Sequence, residues 1–413
     1  MLCALLKAVL FPVHLFKGKR WERAVEFEEN PRTMSVWDIV HFAYKYYYKS
    51  PSKPSLPEYD HHFDVLYSPA PYPDEFASVS IGGDLMPYAL IQPDSTVDLW
   101  TEIGGDFFGS DLVFANLETP LDTSKPSSFV PEVMLNDMHF NTDVQTFNIF
   151  NGNAQFKGFD LLSVANNHSL DMGVEGLDAT MQYLHKNQID YVGAKLKTEH
   201  HDFVIRDIKG IKVGFVAYTY SLNQMLPPEG LDWKVNYLPL NRQDCDISII
   251  REQVKACREA GAEYIICSMH CGNAYQPYPS ACTIELFQRV FETCGVDLIA
   301  GGHPHNLQPW RNYEFTDPYS GEKKTGFAIY SLADFVAYDI YTWCHLCAYL
   351  KVRLWKESNK VKSSVEVVPL VMQRKDNQLK LRHAQAFFEQ NRDSEEAADI
   401  KLLYDICLNQ KLK

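Results

Sequence analysis

From residue 78 onward, short apolar runs alternate with longer helix-like segments. Runs of strand length fall at 78–82, 112–115, 161–164, 213–217, 264–268, 298–300 and 327–330, and helix-like segments at 97–108, 174–187, 247–260 and 283–294. This alternation predicts an α/β fold. Segments 203–208 and 212–218, split by Lys209-Gly210, predict a hairpin. Strands at 347–355 and 364–372 follow, with an alternation at 362–367 that suits a half-exposed strand. A closing helix over 384–408 turns Glu395, Glu396 and Asp399 to solvent. Upstream, residues 1–50 read as helical, with Ser35 as a cap, and three prolines within 50–57 mark a linker. A second proline-rich passage at 68–73 leads into the main domain. The chain thus divides into an N-terminal helical extension and linker (1–75), an α/β domain (76–340), and C-terminal strands with a closing helix (341–413).

Composition narrows the function classes. A chain of 413 residues, 46% apolar, has the length for two or three domains, or for one large domain with extensions, and the material for a large core. The net charge of −14 argues against nonspecific nucleic-acid binding, which needs a basic face. An anionic substrate stays compatible, because bound metal reverses the local sign.

Of ten cysteines, most sit in apolar runs without a dense framework, and they read as small buried hydrophobes in a reducing compartment. Cys344 and Cys347 fall in a segment, 341–350, that reads as a strand, where positions three apart face opposite sides. That placement argues against a shared metal or redox role.

The N-terminal apolar run is 16 residues long and interrupted by Lys7, Pro12 and His14, short of the roughly 20 that span a bilayer. Lys17, Lys19, Arg20 and Arg23 follow it. Residues 1–23 read either as a docked helix or as a membrane-surface contact. With no clear anchor or secretory signal, the expected location is cytoplasmic, with membrane association through 1–23 as the alternative.

The chemistry lies where the strand candidates end. One ends in Gly82-Gly83-Asp84, the next in Asn116-Leu117-Glu118, a third runs into Asn166-Asn167-His168 with Asp171 beyond, a fourth ends in His270-Cys271-Gly272, and a fifth in Gly301-Gly302-His303-Pro304-His305. In α/β sheets, ligands gather beyond the carboxyl ends of the strands. Singly, each motif has a plain structural explanation. Gly-Gly-Asp suits a turn, Glu118 can cap a segment, Asn166-Asn167 can serve a turn of positive φ, and a lone His270 can be a hydrogen-bonded core residue. Gly-Gly-His-Pro-His is the most specific, because histidines two apart at a strand end can bind metal on one side.

Taken in order, these stretches resemble the calcineurin-like metallophosphoesterase layout. More specifically, they resemble the CapA family of bacterial capsule-synthesis proteins, also called poly-γ-glutamate biosynthesis proteins. The resemblance rests on Gly83-Asp84-Leu85-Met86, Asn116-Leu117-Glu118, Ala165-Asn166-Asn167-His168 with Asp171 and Gly173, His270 with Gly272 and Tyr275, Gly302-His303-Pro304-His305, and the run 330–335. It covers roughly residues 77–340. Three positions depart from the pattern: Met86 stands where ordinary metallophosphoesterases have histidine, Ala274 where the family has glutamate, and Asp334 where it has asparagine.

The resemblance implies a metallophosphatase-like four-layer α/β/β/α sandwich. It further implies one or two divalent ions (manganese, iron or zinc) held by Asp84, Glu118, Asn167, His270, His303 and His305. His168 would give a hydrogen bond or proton to the leaving group, oriented by Asp171. The expected activity is metal-dependent hydrolysis of a phosphoester or an anionic small-molecule or polymer substrate. The alternative is a noncatalytic accessory of capsule-polymer assembly that keeps the fold.

Overall fold

The computed structural model describes residues 8–12, 15, 70–131, 139–223 and 225–408. Of the N-terminal extension, residues 8–12 are helical and Leu10 packs into the main core. The rest of that extension, the 50–57 linker and most of the 1–23 contact lie outside the described residues.

Two sheets form the centre. The first has the order β14-β13-β12-β1-β2-β3-β4, with β11 also on β1, and the second β5-β6-β7-β8-β10-β9. In the first sheet, β1 (Ala77–Leu85), β2 (Leu112–Leu117), β3 (Leu161–Ser163) and β4 (Asp190–Val192) run parallel. β12 (Leu346–Glu357), β13 (Lys360–Lys375) and β14 (Gln378–His383) extend it antiparallel from β1, and the short β11 (Asp334–Val336) runs parallel beside β1. In the second, β6 (Ile211–Thr219), β7 (Tyr264–His270), β8 (Leu298–Gly302) and β10 (Lys323–Ile329) are parallel. The antiparallel β5 (Val204–Ile208) and β9 (Trp310–Thr316) close its edges.

Side-chain alternation explains the layers. Along β6, Phe215 and Ala217 enter the core between the sheets, while Val216 and Tyr218 enter a second core under the helices. β8 repeats this, with Leu298 and Ala300 on one side and Ile299 on the other. Strands buried on both faces therefore read as continuous apolar runs. Phe114 of β2 meets Phe215 of β6 across the inter-sheet core, with ring centroids 5.5 Å apart.

Helices cover both outer faces. α2 (Val144–Phe150) and α3 (Gly173–Lys186) bury Phe147, Phe150, Leu177, Met181 and Leu184 on the first sheet's side. The four- and three-residue spacing in α3 forms one apolar stripe. On the second sheet, α4 (Ser248–Glu259) buries Ile250, Val254 and Cys257, and α5 (Ala281–Arg289) buries Ile284, Leu286 and Phe287. The expected hairpin at Lys209-Gly210 is present, and both residues have positive φ (50° and 81°), as a two-residue type I′ turn requires.

Three expectations are corrected. Segment 97–108 is mostly turns, closed by bonds such as Leu99 N–H to the Thr96 carbonyl, and only α1 (Gly104–Phe107) is helical. Glycine at 104 weakens helix propensity, yet a methyl group there would sit 2.5 Å from the Phe156 ring. The closing helix splits into α6 (Ala384–Gln390) and α7 (Glu395–Leu408), because Asn391 caps the Phe387 carbonyl and Ser394 Oγ accepts the Ala397 N–H. Residues Thr342–His345 form a 3-10 turn rather than strand, so Cys344 and Cys347 lie in different elements. Both are buried, and burial pushes both thiols up. All nine cysteines among the described residues are free thiols.

The β9–β10 turn is held by a buried charge. Asp317 Oδ1 accepts the Tyr319 and Ser320 N–H groups, and Oδ2 lies 2.7 Å from Lys324 Nζ. Burial alone would raise the Asp317 carboxyl, but Lys324 and these donors hold it down at about 2. A depressed folded pKa adds stability above the ordinary value near 4, lost as pH falls toward 2. Asp317→Asn is expected to lower Tm at pH 7, a loss of about 1–2 kcal/mol, with the gap from wild type narrowing from pH 5 to pH 3. A gap constant with pH contradicts the charge's role.

Candidate metal centre

Strand register brings the polar strand ends together. Asp84 pairs laterally with Asn116 on one side and Asp334 on the other, and His270 pairs with Gly302. Glycine permits the close approach: a methyl group on Gly83 would lie 2.1 Å from the Ala333 carbonyl oxygen, and one on Gly302 would lie 2.7 Å from Asp84 Oδ1. The loops beyond carry unusual backbone. His303, His305, Tyr275 and Ala333 have φ of 93°, 58°, 59° and 66°. Non-glycine residues adopt that region where the surroundings dictate it, and such strain clusters at functional sites. Asn166 and Asn167, by contrast, have no positive φ, so the turn explanation for that pair fails.

Glu118 lies at the middle. Its carboxylate is fully buried, and neither oxygen accepts a hydrogen bond from the described residues. It belongs to two groups of donors, one with His270 and His303, the other with His305 and Asp334, in each of which the ligand atoms lie within 4.8 Å of one another. His270 Nε2 is 3.3 Å from Glu118 Oε1. An ionised carboxylate without donors is costly to bury, and burial pushes the Glu118 carboxyl up.

The other expected residues surround this pair of groups. Asp84 stands outside both, with its oxygens already engaged: Oδ1 accepts from Asn116 Nδ2 (2.7 Å) and Oδ2 from the His303 N–H (2.9 Å). Burial, reinforced by Glu118, raises Asp84 to about 7. Asn167 Oδ1 lies 2.8 Å from His270 Nε2. Burial lowers His270 to about 3, leaving the neutral imidazole that metal binding requires. For His305, burial acts downward, but the Asp334 carboxylate 2.9 Å away overrides it and raises the ring to about 10.

His168 sits to one side. Its Nδ1 is 2.7 Å from Asp171 Oδ2, and its ring stacks on Phe140 at 4.0 Å. Asp171 also accepts the Phe140 N–H, and His168, His139 and that N–H keep its carboxyl low despite burial. Asn223 links the two regions, accepting from Asn167 Nδ2 at 3.2 Å and approaching His168 Nδ1 at 3.4 Å.

Sequence reasoning missed Asp334 as a donor, treating it only as a departure from a family pattern. The available signal was positional: the run 327–330, like the other strand candidates, leads to a side chain that can bind metal. Asn223 gave no such signal. Two surface clefts lie away from this centre. One of about 200 Å³ is lined by Tyr191, Lys195 and Asp202, another of about 300 Å³ by Phe291, Arg311 and Tyr313.

The family model described as bacterial capsule synthesis protein PGA_cap matches residues 78–339. The chain belongs to this family. Within it, the chain is 25% identical over 360 residues to the PGA biosynthesis protein CapA of Bacillus subtilis (strain 168), covering 83% of this chain and 86% of that protein. It is 23% identical over 286 residues to the capsule biosynthesis protein CapA of Bacillus anthracis, covering 64% of this chain and 62% of that one. Among solved structures, the calcineurin-like phosphoesterase YfkN from Bacillus subtilis aligns with 80% of this chain and 100% of its own, at 14% identity and a TM-score of 0.41. The two sheets, with helices on both outer faces, bear out the expected α/β fold in four layers. No helix among the described residues is long and apolar enough to cross a membrane.

The donor set fits a divalent cation. Carboxylate oxygens and imidazole nitrogens are its ordinary ligands, and the Glu118 oxygens and Asp334 Oδ2 are buried without hydrogen bonds. Replacing Glu118 with glutamine removes an uncompensated buried charge. In chelator, Glu118→Gln is expected to melt at least about 2 °C above wild type, and added manganese should then raise the wild type more than the variant. A lower melting point in chelator would show that the carboxylate is satisfied without metal.

Proposed function

We propose that this chain is a metal-dependent hydrolase of capsule-polymer biosynthesis, acting on a phosphoester or on an anionic polymer such as poly-γ-glutamate. The observation that carries this reading is the Glu118 carboxylate, buried without hydrogen bonds between two groups of donor side chains. His270 and His303 would hold one divalent ion with Glu118, and His305 and Asp334, with Glu118 shared, a second, His305 giving up its proton as the ion binds; manganese, iron and zinc suit these ligands. Asp84 orients the His303 backbone, and Asn167 orients the His270 ring or contributes its own oxygen. When bound, the ions supply Lewis-acid polarisation of a phosphoryl or acyl oxygen and a water acidic enough to ionise near neutral pH.

His168 handles the proton. Its Nδ1 faces Asp171, which fixes the ring and leaves Nε2 to give a hydrogen bond or proton to the departing oxygen. Phe140, stacked on the ring, limits water on that side. The names of the relatives, PGA biosynthesis protein and capsule biosynthesis protein, support a polyanionic substrate. The negative charge of this chain is then offset locally by the bound cations.

A second reading has its own observation. Met86, where related phosphoesterases have histidine, is buried in the apolar core and offers no hard donor. A noncatalytic accessory of polymer assembly would keep the fold and one ion.

Purified protein is expected to retain divalent metal by elemental analysis, and His270→Ala and His303→Ala to lose it with unchanged circular dichroism. His168→Ala should keep the metal and slow manganese-dependent hydrolysis of a generic phosphodiester by about 10²–10⁴-fold. Protein still metal-free after incubation with manganese contradicts the metal centre. Metal-loaded protein that turns over neither diester nor polymer decides for the accessory reading.

A further inference from the structure

We propose that Asp339 is the positioning residue of the His303-Pro304-His305 loop, acting through Tyr275. Asp339 lies just beyond β11 and is buried, and the hydrolysis outlined above makes no use of it. Its Oδ2 accepts the hydroxyls of Tyr88 (3.1 Å) and Tyr275 (3.2 Å), and its Oδ1 accepts the Tyr341 N–H (2.9 Å). Its own carbonyl lies 2.8 Å from His345 Nε2. Its hydrogen-bond partners among the described residues include no lysine or arginine. A buried carboxylate held by two tyrosine hydroxyls and a backbone amide is thus a neutral-donor hub.

Tyr275 shows what the hub serves. Its backbone is left-handed, with φ of 59°. Its N–H donates to the Pro304 carbonyl at 2.8 Å. Its ring lies 5.6 Å from the His305 ring, tilted by 35°. Pro304 is the single residue between two candidate metal donors, both of which also have positive φ. One residue therefore meets the strained loop twice, through its own N–H at the Pro304 carbonyl and through its ring at His305, and Asp339 fixes the far end of that ring.

Tyr88 ties the same carboxylate to the segment after β1, the strand that carries Asp84. Asp84 in turn holds the other end of the loop through the His303 N–H. The loop is thus clamped from both ends, by Asp84 at His303 and by the Asp339–Tyr275 pair at Pro304 and His305. Outer partners of this kind commonly set metal affinity by orienting the ligands.

Two readouts test the claim, and only the second rests on the metal-centre reading. In metal-free protein, hydrogen exchange followed by mass spectrometry should be at least about tenfold faster over residues 273–278 and 300–306 in Asp339→Leu and in Tyr275→Phe, with β12 and β13 unchanged. In calorimetric titration with manganese, each variant should bind about 10–100-fold more weakly, and the double variant should lose no more than about a further twofold. Unchanged exchange in these two segments for Tyr275→Phe, or losses that add in the double variant, overturns the proposal. Accelerated exchange spread through β12 and β13 assigns Asp339 a general structural role and overturns it as well. Wild type that takes up no manganese contradicts the metal centre alone, and the exchange arm then decides the positioning claim.

Discussion

A carboxylate buried without a hydrogen-bond donor is the constraint around which this molecule is arranged. Glu118 is at the C-terminal end of β2, close to Asp84 and Asp334, where three acidic groups share a water-poor space. Protein donors are spent elsewhere: Asn116 and the His303 N–H go to Asp84, and His305 goes to Asp334. The neutral His270 ring stands against Glu118 without neutralising it. Such a cluster is expensive in a metal-free chain and favourable around a cation, which is the usual exchange of stability for function at a site of this kind.

The sheets exist to hold that cluster. β1 and β2 of the first sheet, and β7 and β8 of the second, end on the same side, and lateral pairing fixes Asp84, Asn116 and Asp334 relative to one another, and His270 relative to Gly302. Close approach there excludes side chains at Gly83 and Gly302. Beyond the strands, left-handed residues turn the histidines inward, and buried partners such as Asp339 hold that geometry from behind. The strained loops are thus stabilised by ordered neighbours rather than by regular structure.

Much of the architecture was legible because parallel strands covered on both faces leave continuous apolar runs, and β2, β6, β7 and β8 all carry that mark. Short strands such as β4 and β11 escaped, since three residues acquire strand geometry from their neighbours rather than from their own pattern. Segment 97–108 misled because its apolar spacing serves turns packed by Trp100, Phe107 and Phe108. At the site, residues at strand ends were readable from position. Their hydrogen bonding was not: Asp84 accepts from Asn116 and from the His303 N–H, Asp334 lies among the candidate donors, and the Asp339–Tyr275 hydrogen bond spans 64 residues and has no local signature.

The account turns on a cation between Glu118 and the histidines. Crystals grown or soaked in manganese and measured at the manganese absorption edge test this directly. The account predicts an anomalous peak at coordination distance, roughly 2.0–2.3 Å, from a Glu118 oxygen and from ring nitrogens of His270 and His303. A well-ordered site with no anomalous density there, or with manganese bound only at surface carboxylates, would contradict it.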